Sequence, residues 1–157
     1  MTMEKRKIFI GADSAGFEMK NALCEHLREA GYDVTDCGCF SAASCHYPEF
    51  AEVVCKSVQE APDAHFGILV CGTGIGMSMA ANKHRSIRAA VCGDTFSARF
   101  TRLHNNANVL CMGARVIGIG LATDITDLFL STAFESGGRH EERVNMITAI
   151  EEAESGK

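Results

Sequence analysis

At 157 residues, with 46% hydrophobic and 22% charged residues and a formal charge of -5, the chain has the make-up of one globular domain, 1–157, with room for a single good core. The negative charge argues against nucleic-acid binding, and no apolar run reaches the roughly 18 residues that span a membrane. The basic start, MTMEKRKIFIGAD, leads into only a strand-length apolar run, so it does not read as a signal peptide. Eight cysteines without a C-x-x-C pair, several inside predicted helices and strands, read as reduced thiols of a cytoplasmic protein. Cys37-x-Cys39 with Cys45 is the one grouping that invites metal binding or oxidation, and its spacing argues against both.

Lys7–Gly11 is an apolar strand, and GADSAG at 11–16 turns the chain out of it. Met19, Leu23, His26, Leu27 and Ala30 then recur at helical spacing, and Gly31 closes that helix. Tyr32–Cys37 is a second strand and 38–46 a polar loop. Tyr47-Pro48 opens the next helix, with proline in its first turn. Phe50, Val53, Val54, Ser57, Val58 and Ala61 mark its buried face, and Pro62 ends it. Phe66–Val70 is a buried strand that runs through Gly72, Gly74 and Gly76 into a helix at Met77–Ala81. Arg88–Cys92 and Asn108–Met112 are the fourth and fifth strands, with a helix over Asp94–Leu103 between them. A fifth helix carries Leu121, Ile125, Leu128 and Phe129 on one face. Gly137-Gly138 breaks the chain before a last helix at Arg139–Glu154. Strands alternating with helices imply an α/β fold: a doubly wound, five-stranded parallel sheet with helices on both faces and a C-terminal helix.

In such a sheet, ligands bind beyond the carboxyl ends of the strands. Asp13, the 45–47 loop, Cys71–Gly76, Asp94 and Arg115 all fall there. A strand that passes through glycines into a helix offers unpaired N–H groups to an anion. A thiol facing that helix terminus has its thiolate favoured, as a base or nucleophile requires; the plainer reading of Cys71 is a small buried residue at a strand end. Asp13 suits a helix cap as well as a ligand, and Asp94 reads as a cap. His104-Asn105 lies at the far end of the fourth helix, about 15 Å from the carboxyl edge. It is either a dipole-stabilised helix end or a contribution to a partner subunit's site. Arg139 and Arg143, four apart at a helix start, suit a phosphate, unless Glu141 and Glu142 neutralise them locally. His140 is expected to be structural.

Taken together, GADSAGF at 11–17, HYP at 46–48, CGTGIGMSMAANK at 71–83, RAAVC at 88–92, HNNANVLCMGARVIG at 104–118 and GGRHEERV at 137–144 resemble the type B ribose-5-phosphate isomerases over nearly the whole chain. These belong to a wider group of sugar-phosphate isomerases that includes galactose-6-phosphate isomerase. The resemblance implies a Rossmann-like sheet and a homodimer or tetramer with sites shared between subunits. It also implies an aldose–ketose isomerisation of a phosphorylated sugar through a cis-enediolate, with neither metal nor organic cofactor. Carried over residue by residue, Cys71 is the base, Thr73 lines its pocket, and the backbone of Gly72, Gly74, Ile75 and Gly76 holds the oxyanion. His104 opens the furanose ring with Asn105 beside it, Asp13 and Tyr47 contact the sugar, and Arg115, Arg139 and Arg143 hold the phosphate. Ile75 stands where some members carry a glutamate base, so the chain is of the cysteine type. Ser14 replaces the usual histidine after Asp13, and His46 precedes Tyr47-Pro48 as in the galactose-6-phosphate branch. Ribose 5-phosphate and ribulose 5-phosphate are the default pair, with allose 6-phosphate, galactose 6-phosphate or a tetrose phosphate as alternatives. A non-catalytic phospholigand-binding module needs neither Cys71 nor His104, and a redox protein would be expected to carry C-x-x-C.

Overall fold

A computed structural model of the chain describes residues 6–156, so the expectation about a signal peptide rests partly on residues 1–5, outside the described range. The elements follow in strict alternation at first: β1 (Lys7–Ala12), α1 (Phe17–Glu29), β2 (Asp33–Asp36), α2 (Tyr47–Gln59), β3 (Phe66–Cys71), α3 (Ile75–Ala81), β4 (Ala89–Val91), α4 (Thr95–Asn105) and β5 (Val109–Gly113). Two helices close the chain, α5 (Ile119–Ser131) and α6 (Arg139–Ser155). All four strand pairings are parallel, in the order β2-β1-β3-β5-β4. From β1 the chain steps to β2 on one side and then to β3 on the other. The loops after β1 and β3 therefore flank a switch point, where the crevice of an open α/β sheet forms.

β3 is buried along its whole length, and the alternation of a strand sorts its side chains between two faces. Ile68 and Val70 join Leu23 and Leu27 of α1 and Ile125 and Phe129 of α5. Leu69 and Cys71 face Val54, Cys55 and Val58 of α2 and Met77 of α3. The Cys71 thiol thus points to the α2/α3 side. Two expectations about helix faces fail. Val53 is 47% exposed and Leu121 38% exposed, because the buried stripes run through Ala51, Val54, Cys55 and Val58 on α2 and through Ala122, Ile125, Thr126 and Phe129 on α5.

Boundaries shift in informative places. α3 begins two residues earlier than its apolar run suggests, so Ile75 and Gly76 form its first turn rather than the preceding loop. α4 extends through His104 and Asn105, and Asn106 ends it in the left-handed conformation with φ 47°. Gly31, with φ 83°, closes α1 as expected, its N–H bonding Arg28 O while Tyr32 N–H bonds Leu27 O. Among the described residues no helix is long and apolar enough to cross a membrane, and all eight cysteines are free thiols.

Candidate active site

The first group of candidate residues gathers where β3 ends. Cys71 is 4% exposed, and its Sγ accepts the Gly74 N–H at 3.1 Å. The Gly72 and Thr73 N–H groups meet no acceptor among the described residues, which leaves them for a ligand oxygen. Thr73 is exposed, with its Oγ1 accepting the Ile75 N–H at 3.3 Å. Among the other buried thiols, burial pushes Cys55 on α2 up to about 12 and Cys92, just beyond β4, to about 11, and raises Cys111 on β5.

The loop's shape depends on glycine at two points. Gly74 has φ 80°, and a Cβ there would lie 2.9 Å from the Met112 carbonyl carbon. A Cβ on Gly76 would lie 2.8 Å from Cζ of Tyr47, so the Tyr47 ring lies over the first turn of α3. Arg115 lies beside Gly72, and its N–H bonds Gly72 O at 3.0 Å. Asp13 sits across the switch point, its N–H on Val70 O at 3.2 Å. Its Oδ1 accepts the Ala15 and Gly16 N–H groups at 3.0 and 3.1 Å, so it acts as a turn cap with its second oxygen free of those bonds. Ser14 is half-buried in the same turn.

A second group forms at the other end of α4. Asp94 caps that helix, accepting the Ser97 N–H at 2.6 Å and hydroxyl at 2.9 Å, as the sequence suggests. The far end of the helix is anchored by Arg102, eight residues after Asp94 and 2% exposed. Its guanidinium donates to Thr132 O, Asn106 Oδ1 and Ala107 O and lies over Phe66 and Phe129. Burial, then the charges of Arg6 and Arg88, lowers it to about 10, still a cation at neutral pH. His104 is half-buried beside it in sequence, and Asn105 is exposed.

Arg139 and Arg143 open α6 in the same neighbourhood and form no ion pair among the described residues; nor does Arg115. Glu141 does not neutralise them but accepts the Gly137 N–H at 2.6 Å. His140, expected to be structural, stacks on His104 with ring centroids 3.9 Å apart and planes 8° from parallel. Burial and then His104, with Arg139 and Arg143 adding to it, hold the His140 imidazole below its ordinary value against the pull of Glu135. His104, Glu135 and His140 are the one described group with metal-ligand atoms mutually within 4.8 Å. A metal lies in the plane of each imidazole that binds it, so rings this nearly parallel suit stacking and not shared ligation.

Within one chain the two groups stay apart. A recess of about 320 Å³ beside His104 is lined by Ala90, Val91, Cys92, Phe96, Phe100 and Asn105, among others, and by nothing from the Cys71 loop. A larger groove of about 820 Å³ touches Asn105 but runs between β4 and the second half of α6, past Ile87, Arg88, Ile147 and Ile150. It is not where the thiol lies.

The family model described as Ribose/Galactose Isomerase matches residues 8–147. The chain belongs to the ribose/galactose isomerase family. Ribose-5-phosphate isomerase B of Escherichia coli (strain K12) is 46% identical over 147 residues, which cover 94% of this chain and 97% of that protein. The structure of ribose-5-phosphate isomerase B from Mycoplasma genitalium with bound ribulose-5-phosphate gives a TM-score of 0.90 at 39% identity, covering 93% of this chain and 96% of the other. That of the Clostridium thermocellum ribose-5-phosphate isomerase B gives 0.89 at 44%, with 94% and 98% covered. In this member of the family Ile75 is the first residue of α3 and 50% exposed, so no carboxylate stands at that turn. His140 is the residue that sequence reasoning set aside. Helical periodicity places it off the Arg139/Arg143 face, and only the packing of α6 against α4 brings it to His104.

Proposed function

We propose that this chain interconverts ribose 5-phosphate and ribulose 5-phosphate through a cis-enediolate, with Cys71 as the base. The observation that carries this is the Cys71 sulfur itself, set at the end of β3 under the Gly74 N–H and beside the open amides of Gly72 and Thr73. In the open-chain aldose, the thiolate takes the proton from C2 and returns it to C1, while O1 gains the proton that O2 gives up. Charge develops on the sugar oxygens between those steps, and fixed amides stabilise it without having to reorganise. His104 moves the proton that opens the ring, with Asn105 alongside. Asp13, Ser14 and Tyr47 line the sugar. Arg115, Arg139 and Arg143, which form no ion pair among the described residues, hold the phosphate.

Two copies of the chain complete each site in this proposal. The support is the separation of the Cys71 and His104 groups, together with exposed apolar side chains near the second group: Phe96 on α4 and Met146, Ile147 and Ile150 on α6. The free thiols suit a reducing cytoplasm.

The test is an isomerase assay across four-, five- and six-carbon aldose phosphates with wild-type chain and Cys71→Ala. Turnover is expected to be fastest on ribose 5-phosphate and lost in the variant, with binding of an unreactive sugar-phosphate analogue retained. Faster turnover of a six-carbon or four-carbon sugar would reassign the substrate, as Ser14 and His46 leave room for. Loss of analogue binding in Cys71→Ala would make the cysteine structural, and no turnover of any sugar would leave a phospholigand-binding module.

A further inference from the structure

His104 is held in an unusual way. Neither of its ring nitrogens has a hydrogen-bond partner among the described residues, so no polar contact sets the orientation of its imidazole. Two rings do. Phe100, one turn earlier on α4, meets it edge-on at 4.9 Å and 69°, and is itself stacked on Phe96 at 4.2 Å. His140 covers its face at 3.9 Å and 8°. Phe100 belongs to the same helix and moves with it, whereas His140 comes from α6 and locks the ring against a second element.

We propose that His140 is a positioning residue for ring opening, its imidazole fixing the plane in which His104 meets the cyclic sugar. This rests on the isomerase reading above. Opening the furanose breaks the bond between C1 and the ring oxygen, turns the C1 hydroxyl into a carbonyl as its proton leaves, and places a proton on the ring oxygen. A neutral imidazole has one lone pair and one N–H for that exchange, and both must stay free of protein partners and correctly aimed. Stacking meets both demands at once, because it constrains the ring through its face and leaves the nitrogens open. His140 sits among Arg139, Arg143 and Glu135. Burial, then His104 and the two arginines, disfavours the charged form of His140 against the pull of Glu135, which limits like charge beside His104.

The two sugars separate this role from a general structural one. Ribose 5-phosphate arrives as a ring. Ribulose 5-phosphate has its C5 oxygen esterified, cannot close a furanose on C2, and reaches the base without ring opening. The experiment measures, for wild type, His140→Ala and His140→Phe, the turnover of ribose 5-phosphate. For the same three proteins it measures loss of the C1 proton signal of ribulose 5-phosphate in deuterated buffer. General acid–base groups contribute about 100-fold or more, so misaiming one is expected to cost about tenfold or more in ribose 5-phosphate turnover in His140→Ala. The ribulose 5-phosphate signal should stay within about twofold of wild type, since the base and the phosphate contacts act on it unchanged. His140→Phe keeps a flat ring and should recover turnover to within about threefold of wild type. Equal losses on both sugars, full turnover in His140→Ala, or no recovery in His140→Phe would each overturn the proposal. A wild-type chain inactive on both sugars would overturn the isomerase reading and this inference with it.

Discussion

Gly76 and Tyr47 are fitted to each other atom by atom. A methyl group at Gly76 would come within 2.8 to 3.2 Å of three Tyr47 ring atoms, and that ring is 39% exposed and free to swing outward. Gly76→Ala is therefore expected to raise KM for the sugar phosphate severalfold with little change in Tm, as a steady-state assay and a melting curve would read. Gly74→Ala should behave in the opposite sense. Its φ of 80° and the Met112 backbone at 2.9 Å leave the new carbon nowhere to go, so denaturant unfolding should report a loss of about 1–3 kcal/mol. The first variant disturbs the Tyr47 ring, the second the loop that aims an amide at Cys71. A stable but inactive Gly74→Ala would contradict the strain argument.

Helix α4 is the element on which the second half of the site depends, and Asp94 holds its first turn. The Ser97 N–H and hydroxyl keep the Asp94 carboxyl below the ordinary aspartate range. Its contribution to stability is therefore present above the unfolded-state value and fades as pH falls through the lowered folded value. Asp94→Ala should melt lower than wild type near neutral pH, and the gap between the two Tm values should narrow between about pH 5 and about pH 2. A gap that stays constant with pH would mean that the carboxylate does not cap the helix.

The sequence made this helix easy to place, because a cap, an apolar spacing and a strand on either side agree. The parallel sheet was equally legible from five apolar runs alternating with helical periodicity. What the sequence hides, it hides for different physical reasons. Val53 and Leu121 are apolar residues beside a buried stripe, and periodicity alone cannot say which edge of the stripe is covered. Ile75 and Gly76 look like loop in the sequence because three alternating glycines hide the first turn of α3. The His140–His104 stack is hidden from the sequence, because its two rings belong to different helices and no local pattern encodes how α6 crosses α4.

At the scale of the molecule, the exposed apolar residues and the divided site point the same way. α6 buries only Val144 of its 17 residues, while Met146, Ile147 and Ile150 remain 49 to 66% exposed. A helix with so little cover in its own chain is suited to a second copy. If the sites are shared, mixing inactive Cys71→Ala and His104→Ala proteins after proven subunit exchange should restore about a quarter of wild-type activity. Half of a random mixture is then mixed dimer, with one intact centre of two. No recovery would place both groups' roles within single chains.

The distance between the thiol at the end of β3 and the imidazole at the foot of α4 also has a genetic consequence. In a dimer with shared sites, two lesions on one allele, at Cys71 and at His104, would leave a paired healthy copy facing a missing thiol on one side and a missing imidazole on the other. If two copies share their sites as proposed, such a product would silence both centres of every mixed pair, although either lesion alone disables only one.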